Sequence, residues 1–146
     1  MPACAHASRA DNLERCATSI ELWWLGWSVV LGFVYVFVAV GLATWQRGLL
    51  WNAGNRDGQP EPLNKHAARA DRASRNFLET FAFFAAATLA VVLAHKNSAQ
   101  TAIAAMIYFW ARVAYLPVYI IGIPYLRTAI YIASIWGILQ MLEALL

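Results

Sequence analysis

Charge is scarce in this chain. Only 13% of its 146 residues are charged and 61% are hydrophobic, whereas about a quarter of a typical soluble domain is charged. The net charge at pH 7 is only +3, and no basic segment is interleaved with aromatic residues. The composition therefore argues against a soluble domain, and we expect no nucleic acid partner.

Cysteine is also scarce, and the motifs of several enzyme classes are missing. Cys4 and Cys16 lie in the polar N-terminal tail without CxxC spacing, so we expect free thiols and no disulfide framework. His66 and His95 fall at opposite ends of a predicted span, and we expect no metal site. The absence of GxSxG, Walker and dinucleotide-binding motifs removes the usual signatures of hydrolases and nucleotide-dependent enzymes.

Long apolar runs dominate the sequence instead. No charged residue occurs from Leu22 to Trp45, which suffices for one membrane crossing at about 20 residues per span. Four spans are predicted, at about residues 22–45, 77–94, 99–121 and 126–146. Residues 1–19 are expected to form a flexible polar tail and not a cleaved signal peptide, because the first apolar run is too long and the tail is not basic. The sequence predicts an all-α integral membrane protein in contact with lipid, a four-transmembrane-helix bundle within residues 20–146.

Positive residues gather in two of the predicted connections. The first connection contains Arg47, Arg56, Lys65, Arg69, Arg72 and Arg75. The third adds Arg127, whereas the second has only Lys96. Because positive residues accumulate on the cytoplasmic side of membranes, we expect the first and third connections inside the cell and both termini outside.

Polar residues form two stripes at helical spacing. The first stripe, at the start of the second span, consists of Arg69, Arg72, Arg75, Asn76 and Glu79. The second stripe, in the third span, consists of Tyr108, Arg112, Tyr115 and Tyr119. Residues three and four apart share one helix face, and both stripes approach Arg127 and Thr128. We expect them to face neighbouring helices or a water-filled cleft, because an arginine exposed to lipid is costly.

The stripes and their surroundings hold more positive charge than negative. Five arginines stand against Asp71 and Glu79, which leaves three positive charges without a carboxylate. Such a surplus suits a ligand with carboxylates, since arginine binds them bidentately. The alternative is a structural network, in which Arg75 or Arg112 pairs with Glu79, or in which arginines contact lipid phosphates.

Two segments resemble a known membrane protein family. They are RADRASRNFLETFAFFAA (69–86) and ARVAYLPVYIIGIPYLRT (111–128). With them, residues 20–146 resemble a prokaryotic short member of the MAPEG family, the membrane-associated proteins in eicosanoid and glutathione metabolism. The resemblance implies a homotrimer of four-helix bundles in the bacterial inner membrane. It also implies one glutathione site at each subunit interface, near the cytoplasmic face.

The resemblance also implies roles for individual residues. The implied contacts of glutathione, the co-substrate, are Arg47, Arg69, Arg72, Arg75, Asn76, Glu79, Arg112, Tyr115 and Tyr119. Arg127 is implied to stabilise the glutathione thiolate, and Tyr119 or Thr128 can assist with a hydrogen bond. The implied enzyme is a microsomal-type glutathione transferase or peroxidase, which conjugates glutathione to lipophilic electrophiles or reduces lipid hydroperoxides.

Two other classes of function remain open from the sequence. One is a non-catalytic membrane protein of the same fold that binds lipid or a partner protein. The other is an ion or proton conductor that uses Glu79 and Arg112 as a relay. The conductor is the weaker of the two, because the polar residues gather at one end of the predicted spans and form no path across the membrane.

Overall fold

The described part of the chain is built from helices. A computed structural model describes residues 19–55 and 62–146. Its helices are α1 (Ile20–Arg47), α2 (Leu49–Ala53), α3 (Lys65–Leu93), α4 (Ala99–Ile121) and α5 (Pro124–Leu145). All but α2 are long and apolar enough to cross a membrane, which confirms the predicted four-helix membrane fold. Of the predicted tail, residues 1–19, all but Ser19 lie outside the described residues, and these include Cys4 and Cys16. The basic Arg56 also lies outside them.

The four long helices pack as two pairs, α1 with α3 and α4 with α5, which are joined mainly through α3 and α4. The helix α1 packs along α3 and α4 packs along α5, while α3 also contacts both α4 and α5. Within the described residues α1 touches α4 but not α5. The helices α3 and α4 therefore form the centre of the bundle, and polar residues on their inner faces are shielded from lipid.

Stacked aromatic rings fill the core. Near one end the rings of Phe84 and Tyr108 stack with centroids 3.9 Å apart, within a buried cluster that includes Met141. Nearer the other end Tyr35 stacks on Phe77 at 4.5 Å. Offset stacking of this kind adds a fraction of a kcal/mol to about 1.5 kcal/mol beyond the burial of apolar area. The core therefore fixes α3 and α4 against both of their neighbours.

The two ends of the bundle differ in their polar residues. The basic end, where α1 and α4 terminate and α3 and α5 begin, holds Arg47, Arg69 and Arg127. The other end, where α1 and α4 begin, holds Glu21, and we call it the Glu21 end. The helix α3 has 29 residues and is about 43 Å long at 1.5 Å per residue, more than the hydrocarbon layer of about 30 Å. Its first turns, at the basic end, therefore extend into the headgroup layer or beyond.

Side chains hold the helix ends of the basic end together. Asn64 caps α3 by accepting a hydrogen bond from the backbone N–H of Ala67 at 2.8 Å, and this cap was predicted from the sequence. Gln46, near the end of α1, donates to the carbonyl of Pro62 and accepts from the N–H of Asn64. These bonds fix where α3 enters the bundle and therefore the height of its polar residues.

Candidate functional site

A polar cavity of about 240 Å³ lies at the basic end, between α3, α4 and α5. It is lined by Asn76, Tyr115, Tyr119, Arg127, Thr128 and Tyr131. The lining contains one guanidinium, one amide and four hydroxyl groups, and it contains no carboxylate. Because the guanidinium is charged and no lining carboxylate compensates it, the cavity favours an anion over a cation.

A tight connection between α4 and α5 creates one wall of the cavity. Gly122 ends α4 in the left-handed region, with φ at 93°, and Pro124 is the first residue of α5. Both choices follow from backbone chemistry, since glycine adopts positive φ without strain and proline lacks the N–H that the first helical turn leaves unused. The short turn brings Arg127 and Thr128, in the first turns of α5, beside the last turns of α4.

Arg127 lies against an aromatic ring of α4. Its Cζ atom is 5.1 Å from the centroid of the Tyr119 ring, within cation–π range. Thr128 donates its hydroxyl hydrogen to the carbonyl of Pro124 at 3.0 Å, which leaves the oxygen free to accept. The first turn of α5 contains no acidic residue, so Arg127 adds its charge to the positive end of the helix dipole.

Arg112 lies behind the cavity and does not line it. The side chain is fully buried, and its Nη1 donates to Asn76 Oδ1 at 2.9 Å. The Cζ atom is 5.3 Å from the ring centroid of Tyr115 and 5.4 Å from that of Tyr131. The structure thus joins Arg112 and Asn76, two residues of different predicted stripes, through the interior of the bundle.

Arg69 makes its hydrogen bonds to the backbone of α4. Its Nη1 donates to the carbonyl oxygens of Ile120 and Ile121, at 3.2 and 2.9 Å. These carbonyls belong to the last turn of α4, where no intrahelical donor is available. Of the implied glutathione contacts, Arg69 is therefore the one that the structure uses to hold the α4–α5 connection.

The remaining residues of the first stripe point away from the cavity. Arg72, Arg75 and Glu79 are exposed on the surface of α3. Arg75 pairs with Asp71 one turn away, at 2.9 Å. The side chains of Arg72 and Glu79 form no hydrogen bond or ion pair within the part of the chain that the structure describes. Asn76 alone of the first stripe lines the cavity.

A second cavity, of about 330 Å³, lies between α1, α2 and α3 at the same end. Arg47, Asp71 and Arg75 line it together with Trp51 and apolar residues. The Arg47 Cζ atom is 4.6 Å from the Trp51 ring centroid. The predicted site residues thus form two groups in a single chain, one around Arg127 and Arg112 and another around Arg47 and Arg75.

A match to a protein-family model shows which family the chain belongs to. The model of the MAPEG family matches residues 24–146, nearly the whole chain. The chain belongs to the MAPEG family. It is a membrane protein of a family of glutathione and eicosanoid metabolism. No curated protein and no solved structure matches the sequence.

The ion pairs of the structural alternative do not form in this MAPEG chain. Among the described residues, Glu79 pairs with neither Arg75 nor Arg112, since Arg75 binds Asp71 and Arg112 binds Asn76. The guanidinium groups of Arg112 and Arg127 therefore have no carboxylate partner within the described part of the chain. The same described residues contain no group of three His, Cys, Asp or Glu side chains that could hold a metal ion.

Tyr131 is a lining residue that the sequence reasoning missed. It lies on α5, four residues after Arg127 and three after Thr128, so all three share one helix face. Its ring also contacts that of Tyr115, with centroids 6.4 Å apart. The signal in the sequence was the spacing of Tyr131 from Arg127 and Thr128, which puts a tyrosine on the polar face of an otherwise mostly apolar span.

Proposed function

We propose that this protein is a glutathione-dependent membrane enzyme, which conjugates glutathione to lipophilic electrophiles or uses it to reduce lipid hydroperoxides. The observation that supports it best is Arg127, a guanidinium in the first turn of α5 that lines a polar cavity without any carboxylate. Membership of the MAPEG family supports the same ligand class.

The thiol of glutathione needs activation at neutral pH. A thiol with a pKa of about 8.5 is only a few per cent ionised there, and the thiolate is the nucleophile. A guanidinium close to the sulfur favours the charged form, and each unit by which the pKa falls corresponds to about 1.4 kcal/mol. Arg127 is proposed to supply this charge. The Tyr119 hydroxyl, or the Thr128 hydroxyl after rotating away from the Pro124 carbonyl, would assist by donating a hydrogen bond to the thiolate.

The cavity of one chain is small for the whole tripeptide. At about 240 Å³ it falls below the range of about 300 to 1,000 Å³ that is usual for small-molecule sites. We propose that it holds the cysteinyl part and that the charged ends of glutathione extend beyond it. Those ends are two carboxylates and one ammonium group, which match the arginines and the glutamate exposed on α3.

The exposed face of α3 is the observation that supports a contact with a neighbouring subunit. Glu79 lies near the middle of the 29-residue α3 and is exposed with Arg72 and Arg75 in the single chain. An ionised side chain at membrane depth has to be covered by protein or face water. Ala82 and Ala86 continue the face at small-residue spacing, which favours close helix–helix packing in membranes. We propose a homotrimer in which this face and the cavity complete the glutathione site between subunits.

The cavity also lies where the two substrates can meet. It is at the basic end, beside turns of α3 that extend past the hydrocarbon layer. Glutathione reaches such a place from water, and a lipophilic electrophile or hydroperoxide reaches it from the bilayer. The concentration of positive residues at this end supports a cytoplasmic orientation, with both termini outside and, for a prokaryotic chain, the inner membrane as location.

Calorimetry with glutathione on the purified protein in detergent tests binding, and turnover of 1-chloro-2,4-dinitrobenzene or a lipid hydroperoxide tests catalysis. We expect binding at cellular, millimolar glutathione and turnover above the uncatalysed rate. Binding without turnover would favour the non-catalytic alternative of a related fold. No heat of binding at such concentrations would remove the glutathione proposal altogether.

The exposed stripe has a separate test. Arg72→Ala or Glu79→Ala is expected to weaken glutathione binding by about tenfold, because each removes a charged partner that is worth about 1.4 kcal/mol or more. Lys96→Ala at the Glu21 end is the matched control. Affinities equal to that of the control in both variants would show that the stripe is structural.

A further inference from the structure

Arg112 was expected to contact glutathione, but the structure surrounds it with protein. We propose that Arg112 is a positioning residue, which fixes the direction of the Asn76 amide and the faces of Tyr115 and Tyr131 and raises the positive potential of the cavity without touching the ligand. The identity of the ligand, glutathione, rests on the proposed function. The contacts of Arg112 described below do not depend on it.

The hydrogen bond to Asn76 determines which way the amide faces. A guanidinium has only donors, so the atom at 2.9 Å from Arg112 Nη1 must be the amide oxygen. The NH₂ group of Asn76 therefore points away from Arg112. Because Asn76 also lines the cavity, its NH₂ group is the part available to donate to a carbonyl or carboxylate of a ligand.

Aromatic rings take the place of a counter-ion around Arg112. Its Cζ atom lies 5.5 Å from the ring centroid of Tyr108, in addition to those of Tyr115 and Tyr131 at 5.3 and 5.4 Å. All three distances are in cation–π range. Tyr115, Tyr131 and Asn76 make up half of the cavity lining, so one buried cation contacts three of its six side chains.

The backbone of Arg112 is held as well. Tyr35 of α1 is fully buried and donates its hydroxyl hydrogen to the carbonyl of Arg112 at 2.6 Å. The position of the guanidinium is thus set by α1, α3, α4 and α5 together. A side chain held from so many directions has little freedom to move towards a ligand.

The charge of Arg112 stays uncompensated within the described chain. Its side chain forms no ion pair there, and its Nε and Nη2 atoms have no hydrogen-bond partner among those residues. Tyrosine rings attract a cation through their quadrupoles but carry no net charge. The field of the guanidinium therefore reaches the cavity across two rings, in surroundings where charge is screened less than in water.

The first test is a double-mutant cycle on glutathione affinity. Arg112→Gln and Asn76→Ala are each expected to weaken binding by about tenfold, the equivalent of about 1.4 kcal/mol. Together they should weaken it by much less than a hundredfold, because both remove the same oriented NH₂ group. Arg112→Lys keeps the charge and one donor, and it should recover part of the loss. Full multiplicativity would show that Arg112 and Asn76 act independently, and it would overturn the role of Arg112 in directing the amide.

Tyr108→Phe is the matched control for the cycle. Tyr108 contacts Arg112 but does not line the cavity, and the substitution retains its ring. We expect its glutathione affinity to stay within about twofold of the wild type. A loss as large as that of Arg112→Gln would show that any disturbance around the guanidinium weakens binding, and it would count against a specific role of the amide.

The second test needs no glutathione. Thr128→Cys, made in a chain whose Cys4 and Cys16 are replaced by serine, places a thiol in the cavity wall. Its thiolate absorbance is then titrated with pH, with and without Arg112→Gln. Arg127, the three lining tyrosines and Arg112 are the titratable groups around that position. We expect Arg112→Gln to raise the pKa of the thiol by about half a unit at low salt.

The two tests separate the inference from the proposed function. If the wild type does not bind glutathione but the thiol titration shifts, the proposed function fails and the potential from Arg112 stands. If glutathione binds and the titration is unchanged by Arg112→Gln, the electrostatic part of the inference is overturned. Arg112→Lys should leave the pKa of the thiol near its value in the arginine background, because it keeps the positive charge.

Discussion

The two ends of the bundle differ in how their buried charged groups are paired. At the Glu21 end a buried carboxylate is fully engaged: Thr101 donates to one oxygen at 2.6 Å and Asn97 to the other at 2.9 Å. Thr101 also forms a reciprocal capping box with Ser98 at the start of α4. At the basic end, Arg127 and Arg112 face rings and an amide, without a carboxylate.

This difference in pairing distinguishes a cluster that stabilises the fold from one that is suited to bind a ligand. Buried polar groups are normally satisfied within the protein. Glu21, in the first turn of α1, is satisfied by Asn97 and Thr101 at the start of α4, and the dipoles of both helices favour a negative charge there. The basic end keeps cations beside a cavity and adds the positive end of the α5 dipole. Changes at the Glu21 end should therefore reduce stability, whereas changes around the cavity should reduce binding or turnover.

The largest effect is expected for Arg127→Ala. Loss of the guanidinium beside the thiolate should lower turnover by about a hundredfold, which corresponds to about 2.7 kcal/mol. Glutathione affinity should change by no more than about threefold, because the charge acts mainly on the thiolate. Steady-state kinetics and calorimetry on the same preparation measure both quantities. Turnover equal to that of the Lys96→Ala control would remove the assigned role of Arg127.

A stability loss without a binding loss is expected for Glu21→Ala. The change removes two hydrogen bonds to a charged group, although the Thr101 hydroxyl keeps the Ser98 carbonyl as an acceptor at 2.9 Å. The free energy of unfolding should therefore fall by about 2 kcal/mol. Thermal unfolding in detergent measures it. Glu143→Ala, an exposed glutamate near the same end, should change stability by no more than about 0.5 kcal/mol. Weaker glutathione binding by the folded Glu21 variant would contradict the division between the ends.

Gly122→Ala should disturb the connection on which the cavity depends. The positive φ of Gly122 disfavours alanine, and an added Cβ would clash with the guanidinium group of Arg69. We expect a loss of about 1 to 1.5 kcal/mol in stability together with lower turnover, since Arg127 follows this turn.

Two variants sharpen the Gly122 prediction. Arg69→Ala by itself loses the hydrogen bonds to the last turn of α4, so it is the reference for the double variant. Relative to that reference, Gly122→Ala should cost less than it does in the wild type, because the steric part is gone and only the backbone part remains. Gly41→Ala is the matched control, because Gly41 is helical and an added Cβ meets nothing within 4 Å. That control should be neutral or slightly more stable. If both glycine variants behave alike in unfolding assays, Gly122 has no special role.

The smallest effect is expected for Tyr131→Phe. It removes one lining hydroxyl and keeps the ring that contacts Arg112, so glutathione affinity should fall by about threefold, or about 0.6 kcal/mol. Stability should stay within about 0.5 kcal/mol of the wild type. Tyr131→Leu, which also removes the ring, should weaken binding further. Equal affinities for the two variants would contradict the contribution of the ring.

The fold was predictable because apolar length is a strong signal. Each long run in the sequence corresponds to one helix that can cross a membrane, and lipid leaves the backbone few other choices. The cap at Asn64 was also predictable, since it depends on neighbours in sequence. The direction of each polar side chain could not be predicted. Residues at i, i+3 and i+4 share one helix face, but that face is wider than the contact with one neighbouring helix, so its members can have different partners.

Particular residues show where the prediction of the site ended. Arg69 and Arg72 are three residues apart and seemed equivalent, yet Arg69 binds the last carbonyls of α4 and Arg72 faces outward. Tyr131 was not distinguished from the apolar residues around it. Glu21 looked like an ordinary acidic residue in the first turn of a helix, and its partners lie about 80 residues away. Helix packing, not local spacing, decides these contacts.

The membrane-spanning character, the number of long helices and the excess of positive charge at one end were readable from the sequence, since these depend on composition and on order along the chain. The partners of each arginine became known only from the packing of the helices. This packing placed Arg112 inside the bundle behind Asn76, Tyr115 and Tyr131, and Arg127 beside the cavity. The reason is physical: a charge among apolar helices is stabilised by partners on other helices, and their positions are fixed only when the bundle packs.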